Sequence, residues 1–182
     1  MPGSVEVVFE THSLTEDNEA GLATGWHPGR LSQAGRDQAR LLGERRKDDG
    51  IVAIFTSDLA RALETVRIAF GEVELPTLHD WRLRECNYGE MNGSALAAEP
   101  SNRAMHVDDP YPGGESWSEA IARVASFVPD LRRWTGQRVL VIGHAATRWG
   151  LDHYVDGTPI DQLVSAPFDW APGWEYRVTL PR

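Results

Sequence analysis

Two histidines each follow a short apolar segment whose composition predicts a buried strand. His12 follows the segment Val5–Glu10, and His144 follows the segment Val139–Ile142. Ser57 and Arg61 come just after a third such segment, Ile51–Phe55. Ligands of parallel α/β sheets bind beyond the carboxyl ends of the strands. We therefore expect these four side chains, although they are distant in sequence, to face one crevice.

This group of side chains suits phosphoryl transfer. A histidine can attack phosphorus and form a covalent intermediate that water later cleaves. Arg61, near the start of a predicted helix, can offer a bidentate fork to the equatorial oxygens of the transferring group. The leaving oxygen needs an acid, for which Glu85 in the segment WRLRECNYGE is the candidate. A metal site is the competing interpretation of the two histidines, but neither a His-x-x-x-His spacing nor a Cys/His cluster supports it.

Strand-like and helix-like segments alternate along the whole chain. The predicted strands are Val5–Glu10, Ile51–Phe55, Val139–Ile142 and Glu175–Leu180. The predicted helices include Leu31–Lys47, with Ser32 as N-cap, the segment from Ser57 to Phe70, and Thr147–Val155. A further helix is predicted to open on the capping box Ser116/Glu119 and to be bent or ended by Pro129. Such alternation with short connections predicts an α/β fold, a mostly parallel central sheet with helices on both faces.

Length, charge and cysteine content narrow the class of protein. At 182 residues, the chain is expected to form a single domain over residues 1–182. A formal net charge of −9 argues against nucleic acid as a partner. No apolar run reaches the roughly 18–20 residues that span a bilayer, so no membrane partner is expected. The N-terminus lacks the features of a secretory signal, and Cys86 is the single cysteine, which together predict a cytoplasmic protein.

Six short motifs occur in an order that is typical of one enzyme family. The first strand runs into ETHSLTEDN, which carries His12, Thr15 and Asn18. It is followed by TGWHPGRLSQAGRDQA, TSDLARALET, WRLRECNYGEMNG, PGGES and VIGHAATRW. Over essentially its whole length, the sequence resembles the histidine phosphatase superfamily, whose fold is the phosphoglycerate-mutase-like three-layer sandwich.

The resemblance implies a role for each matched position. The catalytic residues would be His12 as the phosphorylated nucleophile, Arg61 and His144 as groups that stabilise the phosphoryl group, and Glu85 as the acid. The substrate-binding residues would be Thr11, Ser13, Asn18, Thr24, Gly25 and Ala145. Neither a metal nor another cofactor is expected, and the partner would be a small phosphorylated metabolite.

Two departures favour a phosphatase-like member over a glycolytic mutase. Only about thirty residues separate Glu85 from Glu115, where the mutases insert a longer segment. Cys86 stands where mutases typically have an arginine that helps to hold the substrate carboxylate. The predicted reaction is therefore metal-independent hydrolysis of a small-molecule phosphomonoester through a phosphohistidine on His12.

Thr11 stands where the family has an arginine that binds the phosphoryl oxygens. Losing one charged donor would cost roughly 2–4 kcal/mol of transition-state stabilisation, on the order of a hundred- to a thousandfold in rate. Three explanations compete. In the first, another arginine (Arg148, Arg30 or Arg84) takes the place of the absent one. In the second, the substrate carries less charge. In the third, the protein is a weak phospho-ligand binder, or its reaction is redirected to elimination or transfer.

The seven tryptophans are expected to serve mainly in packing. Trp26 and Trp81 lie in the family-like motifs and are candidates for pocket walls. Trp170 and Trp174, in PFDWAPGWEY, are alternatively candidates for an exposed patch or a dimer contact. A homodimer is left open by the sequence.

Overall fold

The computed structural model describes residues 3–180 as a five-stranded sheet with helices on both sides. The strands are β1 (Gly3–Thr11), β2 (Ile51–Thr56), β3 (Thr77–His79), β4 (Arg138–Gly143) and β5 (Trp174–Leu180). The helices are α1 (Glu16–Glu19), α2 (Gln33–Arg46), α3 (Ala60–Phe70), α4 (Pro100–Met105), α5 (Trp117–Phe127), α6 (Ala145–Asp156) and α7 (Ile160–Ser165). Short 3-10 helices cover Trp81–Leu83, Gly89–Met91, Leu96–Ala98 and Val128–Trp134.

The sheet is mixed but mostly parallel, as the alternation of segments predicts. Its strand order is β3-β2-β4-β1-β5, in which the first three neighbouring pairs are parallel. Only the β1–β5 pair is antiparallel within the described residues, so the predicted α/β fold class is confirmed. Because β4 lies between β1 and β2, the residues that follow these three strands emerge side by side at one edge.

Alternating side chains of the strands pack against helices on the two faces of the sheet. Val8 of β1 and Leu140 of β4 pack with Leu42 of α2 on one face. Phe9 and Val141, their neighbours in sequence, point to the other face, where a second core includes Phe127. Strands buried on both faces read as continuous apolar runs, which is why β2 and β4 were recognisable from the sequence.

Two helices begin at the capping residues predicted from the sequence. Ser32 caps α2 through the amide of Gly35 at 3.1 Å, and Ser116 forms the predicted capping box with Glu119. The chain leaves α5 after Phe127 and continues as a 3-10 helix that contains Pro129, as expected for a proline there. Within residues 3–180, no helix combines the length and the apolar composition needed to cross a bilayer.

Candidate active site

The residues that follow β1, β2 and β4 meet in one crevice. The Oγ of Ser57 lies 2.7 Å from Nε2 of His144. The ring centroids of His12 and His144 are 5.0 Å apart. Three polar groups from distant parts of the sequence are therefore in contact at the carboxyl edge of the sheet, where the strand order requires them to be.

His12 is held in the tautomer that a nucleophile needs. Its Nδ1 lies 2.8 Å from the carbonyl oxygen of Ser13, so Nδ1 carries the hydrogen and donates it. Burial, with the nearby Arg61 charge, lowers the pKa of His12 to about 3. At neutral pH the ring is therefore uncharged, and its Nε2 presents a lone pair.

Arg61, in the first turn of α3, donates to both imidazoles. Its Nε lies 3.2 Å from Nε2 of His12, and its Nη2 lies 3.1 Å from Nδ1 of His144. Its remaining bonds go to the carbonyl oxygens of Gly25 at 2.9 Å and His27 at 3.0 Å. The guanidinium is thus held by four hydrogen bonds, two of which go to the two histidines.

The Arg61 cation is fully engaged with the protein and shielded from solvent. The residue is only 1% exposed. Burial lowers its pKa to about 10, against the opposing attraction of the Glu85 carboxylate, so the group stays charged at neutral pH. To bind a phosphoryl oxygen, Arg61 has to exchange one of its present hydrogen bonds for the ligand.

His144 is the second imidazole of the crevice and is also uncharged. Because Nδ1 accepts from Arg61, the ring hydrogen is on Nε2 and is donated to Ser57 Oγ. Burial and the Arg61 charge lower the pKa of His144 well below 6.5. Ser57 therefore fixes the orientation of His144. The position of these two residues after neighbouring strands does not by itself specify this contact.

Glu85 lines the same cavity as His12 and caps the N-terminus of α6. Its Oε1 accepts from the amides of Cys86 at 2.9 Å and Ala146 at 3.0 Å, and its Oε2 accepts from the amide of Ala145 at 3.3 Å. A carboxylate is stabilised at the positive end of a helix. These three bonds fix the carboxyl group at one place on the wall that it shares with His12.

The loop that carries Glu85 is clamped by Arg123, which the sequence analysis did not single out. This buried arginine donates from Nη1 to the carbonyl of Arg82 at 2.8 Å and from Nη2 to that of Glu85 at 3.1 Å. Its Nε lies 2.8 Å from Oε1 of Glu115. The only sequence signal was an arginine on the buried side of an amphipathic helix, next to Val124.

Trp26 adds a second contact to the same loop. Its Nε1 donates to the Glu85 carbonyl at 2.7 Å, and the Arg84 guanidinium stacks on its ring at 4.5 Å. Trp26 therefore supports the loop from behind, whereas it was a candidate for a pocket wall. Cys86 is fully buried and faces the carbonyl of Glu115, so no cation occupies the position that follows Glu85.

A cavity of about 630 Å³ opens in front of these groups. His12, Glu85 and His144 line one end of it. Much of the remaining wall is apolar and includes Leu14, Leu22, Ala23, Pro167, Phe168 and Trp170. The cavity is large enough for a phosphoryl group with a sizeable leaving group attached.

The six predicted substrate-binding residues fall into two sets. Thr11, Asn18 and Ala145 line the cavity. Ser13, Thr24 and Gly25 are buried behind its lining. The contact of this second set with a substrate stays a prediction.

The buried set shapes the crevice through its main chain. The Ser13 amide donates to Thr65 Oγ1 at 3.0 Å, and the Gly25 carbonyl accepts from Arg61. Gly25 has φ +57, and a Cβ there would lie 1.8 Å from Oδ1 of Asn92. Only glycine allows the loop to approach this closely. Thr24 Oγ1 is buried without a hydrogen-bond partner among residues 3–180.

None of the three arginines considered as a replacement at Thr11 lines the cavity. Arg148 pairs with Asp152 at 2.8 Å and stacks on Trp174 at 4.2 Å. Arg84 pairs with Asp58 at 2.6 Å, and Arg30 is exposed. The missing charge is therefore not replaced by any of them in this arrangement.

Arg103 is the arginine that does line the cavity in the described part of the chain, and the sequence analysis missed it. Its guanidinium donates to the carbonyls of Val164 at 2.9 Å, Ala166 at 2.8 Å and Ala98. The latter two carbonyls follow or end short helices, whose C-termini attract cations. Its principal contacts are structural, and they join three segments of the wall.

Comparison with known proteins agrees with this architecture. Residues 8–171 match the histidine phosphatase superfamily (branch 1). A 2,3-bisphosphoglycerate-dependent phosphoglycerate mutase of Methylobacterium sp. (strain 4-46) is 34% identical over 175 residues, which cover 86% of this chain and 83% of the relative.

Solved structures give the same result. Bacillus stearothermophilus YhfR is similar with a TM-score of 0.79 and 28% identity, over 92% of this chain and 88% of that one. A mycobacterial glucosyl-3-phosphoglycerate phosphatase is similar with a TM-score of 0.75 and 25% identity, over 88% and 85% of the two chains. The neighbours thus include both mutases and phosphatases that transfer or hydrolyse phosphoryl groups. With its fold, its strand-end histidines and its family match taken together, the chain belongs to the histidine phosphatase superfamily.

Proposed function

We propose that the protein hydrolyses a small phosphomonoester, without metal, through a phosphohistidine on His12. The observation that carries the proposal is the state of His12. Its Nδ1–H is bonded to the Ser13 carbonyl, so that Nε2 is free of its own hydrogen and lies on the same wall as Glu85. An uncharged imidazole in this tautomer is a nucleophile that needs no base to remove a proton from Nε2.

The proposed reaction has two steps. His12 Nε2 bonds to phosphorus as the bond to the leaving oxygen breaks, and Glu85, as the general acid, gives a proton to that oxygen. A water molecule then attacks the phosphohistidine and gives a proton to Glu85, which releases inorganic phosphate and restores His12. Arg61 would donate to the phosphoryl oxygens in both steps once it turns from His12, and His144 would do so once its Nε2 hydrogen leaves Ser57 Oγ.

Hydrolysis is favoured over mutase chemistry by the residue that follows Glu85. Cys86 is buried, whereas a mutase typically uses an arginine here for the substrate carboxylate. Burial also raises the pKa of the Cys86 thiol well above its usual value, so the side chain stays uncharged. The 34% identical relative is named as a mutase, and transfer to a second oxygen is therefore an outcome that the assay below must distinguish.

A catalytically weak phospho-ligand-binding protein is the second candidate, and two observations favour it. Thr11 supplies no charge, and Arg61 is bonded to the lone pair of His12 that would attack phosphorus. A redirected elimination or transfer reaction is the third. These candidates differ from hydrolysis in their products: binding alone releases nothing, and transfer releases alcohol without an equal amount of phosphate.

The test is a phosphomonoester panel assayed in the presence of a chelator, with phosphate and alcohol measured together. Wild type is expected to release them in equal amounts, and His12→Gln and Glu85→Gln are expected to lose nearly all turnover. His79→Gln is the matched control, because His79 is an exposed histidine of β3 outside the cavity. Equal rates in wild type and His12→Gln would overturn the proposal.

A further inference from the structure

Part of the wall of the cavity that holds the catalytic groups has a mainly apolar surface. Leu22, Phe168 and Trp170 contribute to it. A phosphoryl group bound by His12 would leave its ester substituent in this cavity, since Glu85, the acid for the leaving oxygen, lines it. The side chains of this wall therefore indicate which kind of ester substituent the site binds best.

Trp170 presents a large aromatic surface beside the nucleophile. The residue is 59% exposed, although tryptophan is among the largest apolar side chains. Its Nε1 donates to Oγ1 of Thr11 at 3.2 Å, so the indole is tied to the residue that precedes His12. Its polar atom is thereby satisfied, and a wide apolar face is left available to a ligand.

The segment that carries Trp170 is anchored by a second aromatic residue. The ring of Phe168 lies 6.2 Å from that of Trp149 and 6.0 Å from that of Trp174, in tilted and edge-to-face arrangements. Trp174 in turn packs on Phe9 of β1 at 5.6 Å. Trp170 therefore projects from a segment fixed to the core, and it is not part of that packing itself.

Two of the polar side chains that line the cavity have their carbonyl oxygens engaged by the main chain. The Oδ1 of Asn18 accepts from the Thr15 amide at 3.1 Å, and the Oε1 of Gln38 accepts from the Leu14 amide at 3.1 Å. Both amide acceptors on this part of the wall are thus occupied by the main chain. Hydroxyl groups buried against apolar side chains without partners are unfavourable.

Thr11 and Trp170 form one unit in this arrangement. A short side chain at position 11 allows the indole to approach β1 and offers it a hydrogen-bond acceptor. We propose that this pair replaces a charged phosphoryl contact with an aromatic one, and that the preferred ligands are phosphoryl compounds whose ester substituent is an aromatic ring that stacks on Trp170. The inference rests on the proposed function, because it names the substrate class of the same site.

Hydrolysis-resistant phosphonates test this preference without turnover. The affinities of benzylphosphonate and propylphosphonate are measured by calorimetry for wild type, Trp170→Ala and Trp170→Phe. Wild type is expected to bind the benzyl compound about tenfold more tightly, since stacking adds to apolar burial. Trp170→Ala is expected to lose most of that preference with little change for the propyl compound, and Trp170→Phe to keep much of it.

Trp81→Ala is the control, because Trp81 is 51% exposed and lies outside the cavity. It is expected to bind both phosphonates as wild type does. Equal affinities for the two compounds in wild type, or an undiminished benzyl preference in Trp170→Ala, would overturn the inference. A benzyl preference in a protein that has no turnover would contradict only the proposed hydrolysis, whereas turnover without the preference would contradict only the aromatic substrate class.

Discussion

The Nε of Arg61 lies 3.2 Å from the Nε2 of His12, so the cation expected to bind the phosphoryl group also occupies the lone pair that must attack it. Burial and, secondly, this contact keep His12 uncharged, because both the loss of water and a nearby cation disfavour protonation of an imidazole. The contact also has to be exchanged when substrate binds. An incoming phosphoryl oxygen is a stronger acceptor than an imidazole, since it is charged.

Arg61→Lys is expected to lower kcat/KM by on the order of a hundredfold or more, because an ammonium cannot span both histidines as the fork does. Steady-state kinetics on one phosphomonoester measures the effect. Arg67→Lys on the exposed side of α3 is the matched control and is expected to be neutral. If Arg61→Lys keeps wild-type activity, the two-histidine contact is not used in catalysis.

Thr11→Arg is expected to raise kcat/KM for small aliphatic phosphomonoesters by on the order of a hundredfold, because it adds a charged donor beside His12. A cavity of about 80 Å³ adjoins Thr11 and offers the longer side chain some room. The uncharged Thr11→Gln controls for length. The same substitution removes the acceptor of Trp170, so its gain is expected to be smaller for aryl esters.

An unchanged or lower rate for the aliphatic esters in Thr11→Arg, with wild type active, would show that the missing arginine is not what limits the reaction. An equal gain in Thr11→Gln would show that charge is not the cause.

Arg123→Gln is expected to affect catalysis through the position of Glu85. The variant loses the donors that hold the carbonyls of Arg82 and Glu85. General-acid assistance matters most for a poor leaving group, so kcat/KM for an alkyl phosphate is expected to fall about tenfold more than that for 4-nitrophenyl phosphate. A merely structural role would lower both rates equally. Arg132→Gln, at an exposed arginine near the end of α5, is the control.

The two buried histidines predict that the protein loses stability in acid. Burial lowers the pKa of His12 to about 3 and that of His144 well below 6.5. Below pH 6.5 the unfolded chain therefore binds protons that the folded protein does not. The contribution of the two histidines to the free energy of unfolding is complete above pH 6.5. It is lost as the pH falls toward the His12 pKa of about 3, by at most about 1.4 kcal/mol per pH unit for each histidine.

Urea unfolding between about pH 7 and pH 5 measures this dependence as the free energy of unfolding. His12→Asn is expected to give a shallower dependence than wild type, because one of the two groups is gone. Identical slopes for the two proteins would contradict an uncharged His12 in the folded state.

The sequence predicted the sheet well because buried parallel strands have a simple composition. β2 and β4 are continuous apolar runs, and their ends placed Ser57 and His144 at one edge. β3 was missed because its three residues, Thr77–His79, are all exposed and carry no apolar pattern. The short helices α4 and α7 were missed for a related reason, since six residues are too few to establish a helical period.

The contacts that shape the site form only in the folded chain, so they were harder to predict from the sequence. Trp170 meets Thr11 across 159 positions, which no local pattern encodes. Arg123 bonds to carbonyl oxygens, and main-chain acceptors leave no signature in a sequence. By contrast, Trp174 was expected to pack, and it does pack against Phe9. Residue types therefore indicated the chemistry, whereas tertiary contacts determine which groups are free to act.

The most direct test of the central claim is to trap the phosphorylated protein. Wild type is mixed rapidly with 4-nitrophenyl phosphate, quenched in base, in which phosphohistidine persists, and analysed by intact mass and peptide sequencing. Wild type is predicted to gain one acid-labile phosphoryl group on His12, and His12→Gln to gain none. Turnover by wild type without any phosphoryl group on His12, or the same mass gain in His12→Gln, would contradict the account.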